Sequence, residues 1–134
     1  MAIIRISLGQ GLQELHRLFV HLEQSWWVNI AHLPRRTTSW IPPVDIFESP
    51  AELIVVVSCP GAQRESLEIT LEDRFLRVRG QTEPLYRQAR VYQLEGAYGP
   101  FERVVRLPCL VNGQEARATL EEGLLKIYLP KILH

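Results

Sequence analysis

The sequence has no surplus charge of either sign: its 134 residues carry fifteen basic and fifteen acidic side chains. A nucleic-acid binder needs excess cations to displace condensed counterions, so that partner class is not expected. Charge balance favours association instead. Lysine is scarce. Thirteen of the fifteen bases are Arg, leaving only Lys126 and Lys131, and the planar guanidinium suits interface ion pairs better than an ammonium does. Cysteine is scarce too. Cys59 and Cys109 belong to no CxxC pair, so a disulfide framework is excluded and both read as small buried hydrophobes of a reducing compartment. No apolar run approaches the ~18 residues of a membrane span. The first eight residues lack the apolar stretch and cleavage site of a signal peptide. The expectation is a cytoplasmic protein that neither binds nucleic acid nor contacts membrane.

Catalytic signatures are missing as well. There is no GxSxG elbow, no GxxxxGK[ST] loop and no GxGxxG fingerprint, hence no visible nucleophile turn or phosphate cradle. His16 and His21 lie about 140° apart on a helix and do not share a metal. His32 and His134 stand apart from both. Glu121 and Glu122 precede Gly123 and read as a turn rather than a carboxylate pair. No enzyme, metal or cofactor is expected.

What is present is an ordinary globular composition, 46% hydrophobic and 22% charged, sufficient for one domain with an arm. Over residues 11–27 the apolar positions Leu12, Leu15, Phe19, Leu22 and Trp26 recur at steps of three and four. That spacing predicts an amphipathic helix. Pro34 and the polar residues 35–39 end it. From Trp40 the period changes to two, and eight short strands follow. They are centred on residues 44–47, 52–58, 67–71, 75–79, 91–94, 101–107, 116–120 and 124–129. Short strands at close spacing imply an antiparallel β-sandwich. Pro60-Gly61 fits a type II turn, which needs a positive φ at its third position.

The run Trp40-Ile41-Pro42-Pro43-Val44-Asp45-Ile46-Phe47-Glu48 resembles the opening of an α-crystallin domain, the core of small heat-shock proteins. Further elements match in order and at family spacing. Cys59-Pro60-Gly61 stands for a Leu-Pro-Gly turn, and Leu76-Arg77-Val78-Arg79-Gly80 for Leu-x-Ile-x-Gly. The run from Gly99 through Phe101, Arg103 and Leu107 to Pro108 resembles Gly-x-Phe-x-Arg-x-Phe-x-Leu-Pro. Ala118-Thr119-Leu120 and Gly123-Leu124-Leu125 resemble the family's Ala-x-x-x-(n)-Gly-Val-Leu signature. The likeness covers about residues 40–131. It implies an immunoglobulin-like sandwich at 40–131, a variable helical arm at 1–39 and a residual tail at 132–134.

The resemblance also implies an ATP-independent holdase of bacterial type, oligomeric, binding unfolded clients under stress. By that likeness Arg90, Val91, Tyr92, Leu94 and Glu95 would form a strand swapped into a partner subunit, with Arg103 facing Glu95 at the dimer interface. Leu67, Ile69 and Leu71 would wall an apolar groove, with Ala118 and Leu120 opposite. Family tails fill that groove with Ile-x-Ile/Val; here the chain ends at Ile132-Leu133-His134, so Ile4 and Ile6 are the expected plug, residues two apart sharing a face. Leu12, Leu15, Phe19, Leu22 and Trp26 would hold clients. Two other readings stand beside this one. A monomeric β-sandwich co-chaperone would dock on a large ATP-driven chaperone. A carbohydrate-binding sandwich would stack sugars on Trp26, Trp27 and Trp40.

Overall fold

The computed structural model describes residues 2–6, 17–21, 40–86 and 88–132. Among these described residues nine strands run β1 (Ala2–Ile6), β2 (Arg17–His21), β3 (Val44–Glu48), β4 (Glu52–Ser58), β5 (Glu68–Glu72), β6 (Phe75–Thr82), β7 (Gly99–Arg106), β8 (Arg117–Glu121) and β9 (Leu124–Pro130). All their pairings are antiparallel. One sheet has the order β2-β1-β5-β6-β7 and the other β3-β4-β9-β8.

Sequence alternation sets which side chains meet between the sheets. In β4 every second residue, Leu53, Val55 and Val57, is fully buried, and β9 answers with Leu125, Ile127 and Leu129. Ile69, Leu76, Val78 and Phe101 come from the facing sheet and close one continuous core. Each such aliphatic side chain contributes roughly 1.5–3 kcal/mol of burial free energy. The turns follow local chemistry. Gly61 has φ 80° and the Ala62 amide donates to the Cys59 carbonyl, the hydrogen bond of the expected type II turn. Glu122 and Gly123, both at positive φ, join β8 to β9 by a two-residue hairpin, the arrangement whose twist matches its strands.

Two expectations about secondary structure are corrected. The helix placed over residues 11–27 is a strand at Arg17–His21; the remainder of that range lies outside the described residues. Phe19 and Val20 favour extended backbone, and β1 offers a full ladder from Ala2↔His21 to Ile6↔Arg17. Helix propensity is a weak preference, readily overridden by such pairing. The strand placed over residues 91–94 is irregular backbone. An isolated strand leaves its amides and carbonyls unpaired, and among the described residues no strand pairs with residues 91–94. β1 also ties the amino-terminal segment into the sandwich: Ile6 is buried in the same cluster as Ile69 and Ala118.

Candidate functional site

Three surfaces gather the residues singled out by sequence. The first is the edge formed by β3 and the loop between β6 and β7. The segment before β3 runs along β7, where Trp40 bridges Phe101 in parallel and the two rings lie 5.0 Å apart. The Trp40 indole N–H donates to the Gly99 carbonyl at 3.3 Å. Trp40 is therefore partly buried, packed against Phe101 and hydrogen-bonded. Arg103 reaches across the same seam, its guanidinium donating to the Pro42 carbonyl at 3.0 Å. Glu95 accepts from the Gln93 amide instead. Within one chain, Arg103 and Glu95 are thus held by different partners.

Alongside that seam lie bare apolar side chains. Phe47 is 55% exposed on edge strand β3, with Ile41 and Ile46 beside it in sequence and also exposed. Leu85, Tyr86, Val91, Tyr92 and Leu94 project from the loop, Tyr92 at 87% exposure. Arg90 stacks its guanidinium 5.5 Å from the Tyr92 ring centroid. An edge strand with unpaired backbone beside a loop rich in exposed aromatics is a pairing hazard unless covered. Sequence reasoning named the loop and missed the strand. The signal was present: Ile46 and Phe47 are adjacent, adjacent strand residues point to opposite faces, and so both faces carry an apolar side chain.

The second surface is the groove between the free margins of the two sheets. Ile69 and Leu71 are buried, as is Ala118 opposite; Leu67 and Leu120 are partly buried against the same cluster. β1 pairs with β5 in the register Ile4↔Leu71, Arg5↔Thr70 and Ile6↔Ile69, so the edge of β5 is occupied by the chain's own first strand. Ile6 is 2% exposed. Of the five apolar arm residues named as client-binding, Phe19 lies in β2, paired through its backbone with Ile4. Leu12, Leu15, Leu22 and Trp26 lie outside the described residues.

The third surface is the outer face of the five-stranded sheet, which carries cross-strand ion pairs. Arg5 meets Glu68 at 3.1 Å, Glu68 meets Arg79 at 3.7 Å, and Arg77 meets Glu102 at 2.6 Å. Burial pulls the Arg77 pKa down, and the adjacent Glu102 carboxylate opposes that pull. On the opposite sheet Arg117 lies over the Tyr128 ring at 4.5 Å and pairs with Glu52 at 3.8 Å. Cys59 is fully buried, and loss of solvent pushes its thiol up to about 11. Among the described residues no three His, Cys, Asp or Glu side chains cluster to hold a metal ion. No helix among them is long and apolar enough to cross a membrane.

A two-sheet antiparallel sandwich with these strand pairings and a bare edge strand at β3 defines a domain of the α-crystallin type. The family model for Hsp20/alpha crystallin proteins matches residues 45–133, and the chain belongs to that family, the small heat-shock proteins. Small heat shock protein C2 of Rickettsia felis is 30% identical over 93 residues, 68% of this chain and 60% of that protein. Spore protein SP21 of Stigmatella aurantiaca is 30% identical over 126 residues, 91% of this chain and 72% of that protein. The chain thus spans well under the full length of both. Among solved structures, a small heat-shock protein of Xylella fastidiosa superposes with TM-score 0.64 at 25% identity, covering 72% of this chain and 91% of that one. Small heat-shock proteins are chaperones of the stress response, not enzymes, and form oligomers.

Proposed function

We propose that this chain is an ATP-independent cytoplasmic holdase that binds partly unfolded proteins through exposed apolar surface and keeps them from aggregating. The observation that carries the reading is the concentration of exposed apolar side chains at one margin, Phe47 on the edge strand, Ile41 in the segment before it, and Leu85, Tyr86 and Tyr92 on the loop. Unfolded chains offer apolar segments and unpaired backbone, and an edge strand can complement both. The same margin serves assembly. Residues 90–95 pair with β3 of a partner subunit, which supplies the ladder they lack within one chain, and Arg103 and Glu95 face each other at that interface. The Xylella relative is described as having a distinct high order structure, and this chain assembles from dimers in its own way.

Ile6, the buried residue of β1, fills the groove of its own chain between Leu67, Ile69 and Leu71 on one wall and Ala118 and Leu120 on the other. Clients engage the arm residues Leu12, Leu15, Phe19, Leu22 and Trp26. The reading is tested by light scattering from a heat-labile client without nucleotide. The full chain should suppress aggregation at a few subunits per client, and replacing Leu12, Leu15, Leu22 and Trp26 together by Ser should abolish most of that effect. Equal suppression by the variant would remove the arm from client binding; no suppression by either protein would overturn the holdase reading.

A further inference from the structure

Among the described residues edge strand β3 has a single neighbour, β4. The Ser58 amide donates to the Pro43 carbonyl and the Ser49 amide to the Glu52 carbonyl, so residues 43, 45, 47 and 49 turn their main chain toward β4. Hydrogen-bonded and non-bonded pairs alternate along an antiparallel ladder. Val44, Ile46 and Glu48 therefore turn their amides and carbonyls to the open side. Their side chains lie on the inner face, because they stand opposite Val57, Val55 and Leu53, all fully buried. Asp45 and Phe47 take the outer face. The inner side of this free edge thus runs apolar, apolar, acidic.

Residues 90–94 carry the complementary order. All are exposed, irregular backbone, and none is proline, so each can donate to a ladder. Extended, the segment sets Arg90, Tyr92 and Leu94 on one side and Val91 and Gln93 on the other. The Arg90 guanidinium and the Tyr92 ring already lie together. Antiparallel to β3, one register matches every position. Leu94 meets Val44, Tyr92 meets Ile46 and Arg90 meets Glu48 on the inner side, while Gln93 meets Asp45 and Val91 meets Phe47 on the outer. It continues to Glu95 opposite Pro43, next to the Pro42 carbonyl that Arg103 holds. Sliding by one residue sets Gln93 against Val44 or Ile46, and Tyr92 or Leu94 against Asp45. Sliding by two sets Arg90 against Ile46 or Tyr92 against Glu48. A parallel pairing through Tyr92 and Ile46 sets Leu94 against Glu48.

We propose that this register is how the chain selects a second copy of itself, with Arg90 meeting Glu48 of the partner subunit as the selecting pair. The inference rests on the exchanged-strand reading above and adds its alignment and its charges. Arg90 forms no ion pair among the described residues. The Glu48 carboxylate accepts from Lys131 at 2.9 Å yet stays 55% exposed, so a second cation can reach it. Like charges directly opposite in a ladder are destabilising, and a chain with an acid at 90 or a base at 48 is therefore rejected. Two-fold symmetry repeats the pair, so each dimer reads it twice.

The test is charge reversal in the full chain, read by native mass spectrometry with one variant mass-tagged. Arg90→Glu and Glu48→Arg should each weaken the dimer by about ten- to hundredfold alone, because a like-charge pair replaces an attractive one at both sites. Mixed, they restore both contacts, one reversed and one native. The mixture should give heterodimer at near wild-type affinity and little of either homodimer. Wild-type dimerisation by either variant alone, or random mixing of the two chains, would overturn the proposal. A disulfide reads the alignment independently. In this register positions 47 and 91 form a non-bonded pair, whose Cα separation of ~4.5 Å suits a disulfide. With Cys109→Ser and buried Cys59 retained, Phe47→Cys with Val91→Cys should link two chains under mild oxidation, and Asp45→Cys with Val91→Cys should link far less. Equal linking by the two pairs, or none by the first, would overturn the proposal. Deleting residues 85–94 tells the two readings apart. A dimer that survives the deletion overturns the exchange itself; monomers after deletion, beside charge variants that dimerise normally, overturn the register alone.

Discussion

Replacing Ile6 by alanine isolates the contribution of the amino-terminal strand. Its side chain is 2% exposed within the cluster that includes Ile69 and Ala118, and its backbone is paired opposite Ile69. Truncating a buried isoleucine to alanine costs about 2–5 kcal/mol, the lost transfer free energy plus the cavity left behind. Ile6 sits on a terminal strand that can peel away without unfolding the sandwich. The cost therefore falls first on the local docking equilibrium and only in part on global stability. Even the lower bound, about 2 kcal/mol, raises the population of the undocked strand by about thirtyfold.

Native-state hydrogen exchange reads this directly. Amides of residues 68–72 in Ile6→Ala should exchange faster by that factor, while amides of β4 and β9, which belong to the other sheet and are not paired with β1, keep their protection. Undocking also exposes the groove wall at Ile69 and Leu71, so the variant should bind a hydrophobic dye more strongly and form larger particles. If residues 68–72 keep their full protection in a folded variant, β1 does not close the groove, and the role given to Ile6 is wrong.

Other expectations follow from the same structure. Gly80→Ala would drive its Cβ into Phe101 Cζ and to 2.8 Å from Leu67 Cδ2; with Phe101 fully buried, the overpacking should cost about 1–3 kcal/mol, seen as a lower midpoint in urea. Cys59, raised from 9.0 to about 11 by burial, binds its proton more tightly folded than unfolded. Its contribution is therefore fully present below about pH 9 and lost as pH rises toward 11; wild-type stability should fall over that window by more than that of Cys59→Ala, and equal slopes would reject the linkage. Deleting residues 85–94 should convert dimers to monomers by light scattering, and a deletion that still dimerises would rule out the exchanged strand. Arg103→Ala, which strips the donor from the Pro42 carbonyl, should lower the melting temperature by several degrees, and an unchanged melting temperature would show that the seam does not depend on it.

Much of the sandwich was legible in the order of residues. β4 and β9 carry alternating β-branched and apolar residues long enough to fix both strand and inward face, because a side-chain period of two leaves no other way to bury them. Pro60-Gly61 and Glu122-Gly123 announce their turns for an equally local reason, since only certain residues accept a positive φ. The family motifs from Trp40 to Lys131 were legible on the same grounds. What sequence could not decide were the segments whose conformation depends on a partner. Residues 17–21 read as helix by spacing and are strand because β1 lies beside them. Residues 91–94 read as strand and are irregular, since among the described residues no strand pairs with them. Ile6 carried an apolar side chain fit for burial, but only the pairing of β1 with β5 set it opposite Ile69. The bare edge at Phe47 likewise arises from which strands end each sheet. Local chemistry specifies an element when the element satisfies its own backbone; where the hydrogen bonds must come from a distant strand, tertiary structure decides.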